Sequence, residues 1–168
     1  MPIAESARLR IRRLRDDDAP FIVELLNTPG FLRHIGDRQV RNVDDALRYL
    51  QAGPYASHAR YGHGLDGVEL KAGGALIGMC GLLQRDALDA PDIGYAFLPA
   101  FAGQGYASEA AAAVLRHGRD VLGIGRIVAI VSPGNAASIR VLEKLGLRGA
   151  GGFTLPGRPP GLLFVPPD

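Results

Sequence analysis

Cysteine is almost absent from this chain. Cys80 stands alone among 168 residues, so no intramolecular disulfide can form and an oxidising compartment is not implied. Lysine is nearly as scarce: Lys71 and Lys144 are the only two, and arginine carries the positive charge. The net charge of +2 leaves no basic excess that would argue for nucleic acid or an anionic membrane surface. No apolar run approaches the length of a membrane span, and the opening MPIAESARLRIRR lacks the apolar core of a secretory leader. The expectation is a cytoplasmic protein without nucleic-acid or membrane partners. His34, His58, His63 and His117 are scattered without metal-ligand spacing, so no metal is expected.

What is present fits one ordinary globular unit. Hydrophobic residues make up 47% and charged residues 21%. Repeats and low-complexity linkers are missing, so residues 1–168 are read as a single domain, long enough to bury a core unaided. Leu9 and Ile11 alternate with arginines and predict an opening strand. Asp16, Asp17 and Asp18 ahead of Pro20 mark a helix start, and Pro29-Gly30 reads as its stop. Val43, Ala46, Leu47 and Leu50 predict a second helix, closed by Gly53-Pro54. The polar segment from Tyr55 to Gly67 reads as a loop. Val68 to Leu70 and Ala75 to Leu83 predict strands joined at Gly73-Gly74, followed by a strand from Ile93 to Leu98. A long helix should run from about Gly105 to Leu122. Arg126 to Ser132 predicts a strand buried on both faces, with Cys80 a core residue of an earlier one. A helix spans Asn135 to Leu145 with Gly146 as its cap, and one or two strands follow between Leu147 and Val165. The fold class is a mixed α/β (α+β) sandwich with a partly antiparallel sheet.

Two motifs carry chemistry. In DIGYAFLPAFAGQGYASEAA, from Asp92 to Ala111, a strand runs through a Gly-rich turn straight into a helix. Backbone N–H groups and the positive end of a helix dipole then converge on one spot, which suits a phosphate. Small residues at Ala107 and Ser108 leave room for close approach. A P-loop would need Lys-Ser/Thr after the last glycine, and a dinucleotide site would need an acidic residue closing the next strand; neither is present. The second motif is Asn135-x-x-Ser138 at the start of the following helix. Asn135 fits an N-cap, and residues three apart share a face, so both side chains line the cleft that holds the anion.

These motifs together resemble the GNAT superfamily of acetyl-CoA-dependent N-acetyltransferases, closest to the branch of ribosomal-protein alanine acetyltransferases (RimJ/RimL-like). The resemblance begins at RLRIRRLRDDDAPFIVELL, continues through ALIGMCGLLQRD and the Gly-rich segment, and ends at NAASIRVLEKLGL. It implies a GNAT fold, with a mostly antiparallel sheet of six to seven strands, splayed at its centre and flanked by about four helices. It implies acetyl-CoA as co-substrate. Backbone groups of Tyr95, Ala96, Phe97 and Leu98 would bind the pantetheine arm, and one N–H would stabilise the oxyanion. Gly103, Gln104, Gly105, Tyr106, Ala107 and Ser108 would hold the pyrophosphate, Asn135 would bond the arm, and Ser138 would stabilise or protonate the departing thiolate. Arg33, His34 and the segment from His58 to Gly67 would flank the acceptor entrance. The acceptor would be a small-molecule amine or a protein N-terminus, and a homodimer is compatible with the family.

Two positions depart from the family pattern. The signature opens with Ala102 where a larger residue is usual, and Leu142 occupies the position of a common general-acid Tyr. A thiol leaving group with pKa ~8.5 does not demand a strong acid, so Ser138 takes that role. For the base, an α-amine with pKa about 8 is roughly one-fifth neutral at pH 7.4, whereas a lysine amine is only ~0.1% neutral. Asp92 is the candidate base or water-organiser, with a solvated turn residue as the other reading, and Glu109 reads as structural. The competing function is a non-catalytic acyl-CoA-binding or regulatory module on the same fold.

Overall fold

The computed structural model describes residues 2–167. Its strands are β1 (Ala4–Glu5), β2 (Leu9–Arg12), β3 (Leu65–Leu70), β4 (Leu76–Leu83), β5 (Asp92–Phe97), β6 (Ala129–Val131), β7 (Arg148–Phe153) and β8 (Gly161–Val165). Its helices are α1 (Ala19–Leu26), α2 (Pro29–His34), α3 (Val43–Leu50), α4 (Ala56–Tyr61), α5 (Tyr106–Asp120) and α6 (Ala136–Lys144).

The strands form two sheets, one ordered β1-β2-β3-β4-β5 and the other β6-β8-β7, with every pairing inside them antiparallel. A single parallel bridge between Asp92 and Val128 joins the sheets. There the Ile93 N–H donates to the Val128 carbonyl at 2.9 Å, and the Val128 N–H donates to the Pro91 carbonyl at 3.0 Å. Beyond this point β5 and β6 have no further ladder, so the two sheets open into a V.

Apolar periodicity decides which helix covers which face. Ala110, Ala111, Val114 and Leu115 of α5 and Leu142 of α6 pack on Leu9, Ile11, Val68 and Ile93. Ile22, Leu25 and Leu26 of α1, with Ala46 and Leu50 of α3, pack on Met79 from the other side. β5 alternates between these cores: Ile93, Tyr95 and Phe97 face α5, while Ala96 faces α1 and α3. β4 is buried from Ile77 to Leu82 because both of its faces are covered.

Several boundaries differ from the sequence reading. Pro29-Gly30 does end α1, but Pro29 also opens α2, where the Thr28 hydroxyl accepts the Phe31 N–H as an N-cap. The stretch expected as a loop from Tyr55 to Gly67 holds α4 and the start of β3. Helical geometry continues past Gly53-Pro54 through one wide turn, Gln51–Tyr55, and Gly62, at φ +80, ends α4. Burial supplies what propensity did not: His58 of α4 meets Asp66 of β3 at 2.7 Å in the interior. β6 keeps only three of the seven residues expected as a strand, the three that pair with Leu162 to Phe164 of β8, while Val128 makes only the isolated bridge to Asp92. The described residues hold eight strands and six α-helices, against the six to seven strands and about four helices expected.

Candidate active site

The Gly-rich turn has the geometry that a phosphate cradle requires. Gly103 and Gly105 sit at φ +75 and +82, a region that disfavours any side chain, and Gly105 is the N-cap of α5. The first N–H groups of a helix have no intrahelical acceptor, and among the described residues no other acceptor meets the N–H groups of Gly103 to Ser108. Ala102 to Gly105 are exposed, so these donors face outward at the open end of β5.

The cradle is braced by residues that lie far away in sequence. Glu109, in the first turn of α5, accepts from the Ser6 hydroxyl, from the Arg8 N–H at 2.9 Å and from Arg8 Nε at 2.7 Å. Arg8 Nη2 also donates to the Gln104 carbonyl at 3.0 Å, and the guanidinium lies 4.3 Å from the centre of the Tyr106 ring. Burial alone would raise the Glu109 pKa, but the Ser6 and Arg8 bonds outweigh it and hold the carboxyl below its ordinary range. Sequence reading gave Glu109 a structural role and missed Ser6 and Arg8, because no local spacing links the β1–β2 turn to residues about a hundred positions on.

The edge of β5 that faces the V is selective. Backbone groups alternate sides along a strand, and the Ile93 N–H already points at β6. Tyr95 and Phe97 therefore present their N–H and C=O to the opening, and among the described residues neither N–H has an acceptor there. Ala96 is turned toward its β4 partner Met79, and the Leu98 N–H is committed to the Ile77 carbonyl at 2.9 Å. Of the four residues expected to bind the pantetheine arm, two face the gap.

Across that gap, Asn135 caps α6 by accepting the Ser138 N–H at 3.2 Å, which leaves its Nδ2 as a donor. The Ser138 hydroxyl lies 2.7 Å from the Tyr95 hydroxyl, which also donates to the Ser138 carbonyl at 3.2 Å. Burial pushes the Tyr95 phenol up to about 12 against the opposing Ser138 bond, with Cys80 adding to the rise. The phenol is thus protonated at neutral pH. Sequence reading assigned Tyr95 only a backbone role, and the fold is what brings its side chain to Ser138.

Asp92 is not a solvated turn residue. It is 2% exposed and accepts from Arg85 Nε at 2.9 Å. Burial raises its pKa, opposed by the charge and hydrogen bond of Arg85. By strand alternation its side chain lies on the α1–α3 face, opposite Tyr95. Of the positions expected to flank the acceptor, Arg33 is exposed and His34 half-buried at the end of α2; His63 instead bonds the Leu82 carbonyl through Nδ1. Among the described residues, no group of three His, Cys, Asp or Glu side chains is placed to hold a metal ion, and no helix is long and apolar enough to cross a membrane.

Residues 8–148 match the family model described as Acetyltransferase (GNAT) domain. The Bacillus subtilis (strain 168) protein YkkB, described as uncharacterized, is 34% identical over 144 residues, covering 83% of this chain and 81% of its own. YoaA of the same organism, described as an uncharacterized N-acetyltransferase, is 31% identical over 154 residues, covering 89% and 85%. Among solved structures, an acetyltransferase from Agrobacterium tumefaciens str. C58 superposes with a TM-score of 0.82 at 23% identity, covering 98% of this chain and 93% of that one. RimL, the ribosomal L7/L12 α-N-protein acetyltransferase in complex with coenzyme A, shares the fold with a TM-score of 0.74 at 18% identity, covering 98% and 96%. From the match over residues 8–148, together with a splayed sheet and a glycine cradle of the expected form, the chain belongs to the GNAT acetyltransferases, a family of acyltransferase enzymes.

Proposed function

We propose that this enzyme moves the acetyl group of acetyl-CoA onto a primary amine by direct attack within a ternary complex. The observation that carries the reading is the unpaired backbone edge at Tyr95 and Phe97, which runs from the glycine cradle to the Tyr95–Ser138 hydroxyl pair. These residues fit coenzyme A. The N–H groups of Gly103 to Ser108 would take the pyrophosphate. Tyr95 and Phe97 would pair with the pantetheine amides as a strand would, and Asn135 Nδ2 would donate to the same arm. A gap-facing N–H of β5 would stabilise the negative charge that develops on the carbonyl oxygen.

The protons leave and arrive on opposite faces of β5. The neutral amine forms the new C–N bond, and its surplus proton passes to Asp92 or to water organised by it, on the α1–α3 face. The C–S bond breaks, and the sulfur takes a proton from the Ser138 hydroxyl; Tyr95 replenishes Ser138 from the α5 face, and solvent water returns the proton to Tyr95. Burial raises the proton affinity of Asp92, which suits a base.

Free thiol release from acetyl-CoA over a panel of α-amines and peptides tests the proposal. Amine-dependent release supports it. Tight coenzyme A binding with no release for any amine would favour the non-catalytic module instead.

A further inference from the structure

Three of the chain's four histidines line one pocket that the chemistry proposed above does not use. His58, His63 and His117 surround it together with Asp66 and Arg13, and its volume is about 330 Å³. His117 lies in the last turn of α5, whereas Tyr106, beside the glycine cradle, opens that helix about 17 Å away at ~1.5 Å per residue. The pocket therefore sits at the opposite end of α5 from the phosphate donors.

Hydrogen bonds fix the walls of this pocket. His58 Nε2 lies 2.7 Å from Asp66 Oδ1, and both side chains are buried, 6% and 7% exposed. Ser57 Oγ donates to the His63 carbonyl at 2.6 Å, and His63 Nδ1 donates to the Leu82 carbonyl at 3.0 Å. A carbonyl only accepts, so His63 carries its proton on Nδ1 and keeps Nε2 free. Gly64 closes on the other imidazole: a Cβ there would lie 3.1 Å from His58 Cδ2. Both rings are thus held in place before any ligand arrives, which lowers the cost of binding one.

The His58–Asp66 pair leaves one polar atom over. His58 Nδ1 is buried and has no hydrogen-bond partner among the described residues. One proton sits between Nε2 and Oδ1. Burial penalises a net charge on the pair, so a second proton, on Nδ1, is favoured because it makes the pair neutral as a whole. Burial likewise raises the Asp66 pKa, and the His58 hydrogen bond and the charges of His58, Arg13 and His117 offset this only in part. The Nδ1–H is then a buried donor without an acceptor, which is costly. Arg13 adds a guanidinium that makes no hydrogen bond or ion pair among the described residues. Arg13 and His58 also line a second hollow of about 240 Å³. With the His58–Asp66 pair neutral, Arg13 carries the one fixed charge of the larger pocket's lining.

We propose that this pocket binds a small oxyanion, a carboxylate or a phosphate, between Arg13 and the three imidazoles. The planar guanidinium fork matches either group, and charge-assisted bonds of this kind are the strong ones. Arg13 meets the anion at the exposed rim, and an anion oxygen gives the His58 Nδ1–H the acceptor it lacks, directly or through one water. The volume lies at the small end of the range for ligand sites, which suits a compact metabolite. Among the described residues, the same side chains are not placed to hold a metal ion.

Imidazole NMR signals read this pocket directly. Sodium phosphate and sodium acetate are titrated separally into the full chain at fixed pH, with sodium chloride holding the ionic strength constant. At least one of the two anions should shift the His58 and His117 signals saturably, and which one does so names the class. Arg13→Gln should weaken that affinity by about tenfold, the scale of a charged hydrogen-bonded contact. Arg13 is exposed, so the substitution leaves the core untouched. Phosphate also suits the glycine cradle, so Gly105→Val is the control: the His58 and His117 response should survive it. No saturable shift with either anion, an affinity unchanged in Arg13→Gln, or a response lost in Gly105→Val would overturn the proposal. None of these readouts depends on acetyl transfer.

Discussion

The hydroxyls of Tyr95 and Ser138 lie 2.7 Å apart, one on β5 and the other on α6, across the mouth of the V that separates the two sheets. They come from elements 43 positions apart in sequence, and the pair spans the gap that the pantetheine arm is proposed to fill. Because burial pushes the Tyr95 phenol up to about 12, the pair holds a transferable proton at every pH at which the protein would be assayed.

Ser138→Ala and Tyr95→Phe should each lower kcat, by about tenfold to a hundredfold, with a smaller change in coenzyme A affinity. The double variant should be little worse than the worse single one, since both side chains serve one proton path. Steady-state kinetics combined with coenzyme A titration check this. Equal losses in turnover and affinity for Ser138→Ala would reduce that residue to a binding or capping group.

Asp92 should appear in the pH–rate profile. Burial raises its folded-state pKa above the ordinary 3.8, so kcat/KM should climb as pH rises through that raised value and the carboxylate forms. Asp92→Asn should remove this acid limb and depress the plateau. An unchanged limb in the variant would assign Asp92 a purely structural ion pair with Arg85.

Gly105→Val should abolish coenzyme A binding. The residue sits at φ +82, where a β-branched side chain is strained, and a Cβ there would lie 3.4 Å from Arg8 Nη2. Arg8→Ala is the milder test of the same loop: it releases Gln104 and Glu109, so KM for acetyl-CoA should rise about tenfold with kcat nearly kept. Calorimetry and initial rates measure both, and unchanged affinity in Gly105→Val would remove the phosphate cradle from this turn.

Asp18 should dominate acid sensitivity. It is 6% exposed, accepts two bonds from Arg12 at 2.9 and 3.0 Å, and accepts the Arg15 N–H at 2.9 Å. Burial alone would raise its pKa, but the Arg12 and Arg15 bonds outweigh it and hold the folded value below 3.8. The folded state then binds this proton less readily than the unfolded chain. Its stabilisation is present above pH 3.8 and is lost as pH falls through the folded value. Asp18→Asn should cost about 3 kcal/mol in denaturant unfolding at pH 7, because it leaves the buried Arg12 short of a charge partner. It should also flatten the loss of stability at low pH.

Much of the fold was legible locally. The Asn135 cap, the glycines at 73–74, 103, 105 and 146, and the alanine-rich face of α5 are properties of a few neighbouring residues. Local chemistry of that kind decides backbone conformation wherever the chain ends up. The same neighbourhood logic misread Tyr55 to Gly67, where the buried His58–Asp66 contact outweighed a Gly-Pro pair and a polar composition. It also overextended β6, since a run of β-branched residues cannot show that only Ala129 to Val131 find partners on β8.

By itself, the sequence determined the donor side of the chemistry, because glycines, a helix start and an Asn-x-x-Ser spacing lie within two short segments. Only the tertiary structure decided which backbone groups face the gap, that Tyr95 reaches Ser138, and that Arg8 braces the cradle. Those relationships join residues from tens to about a hundred positions apart. They depend on how the strands diverge and how the loops fold back over them, which no local spacing encodes.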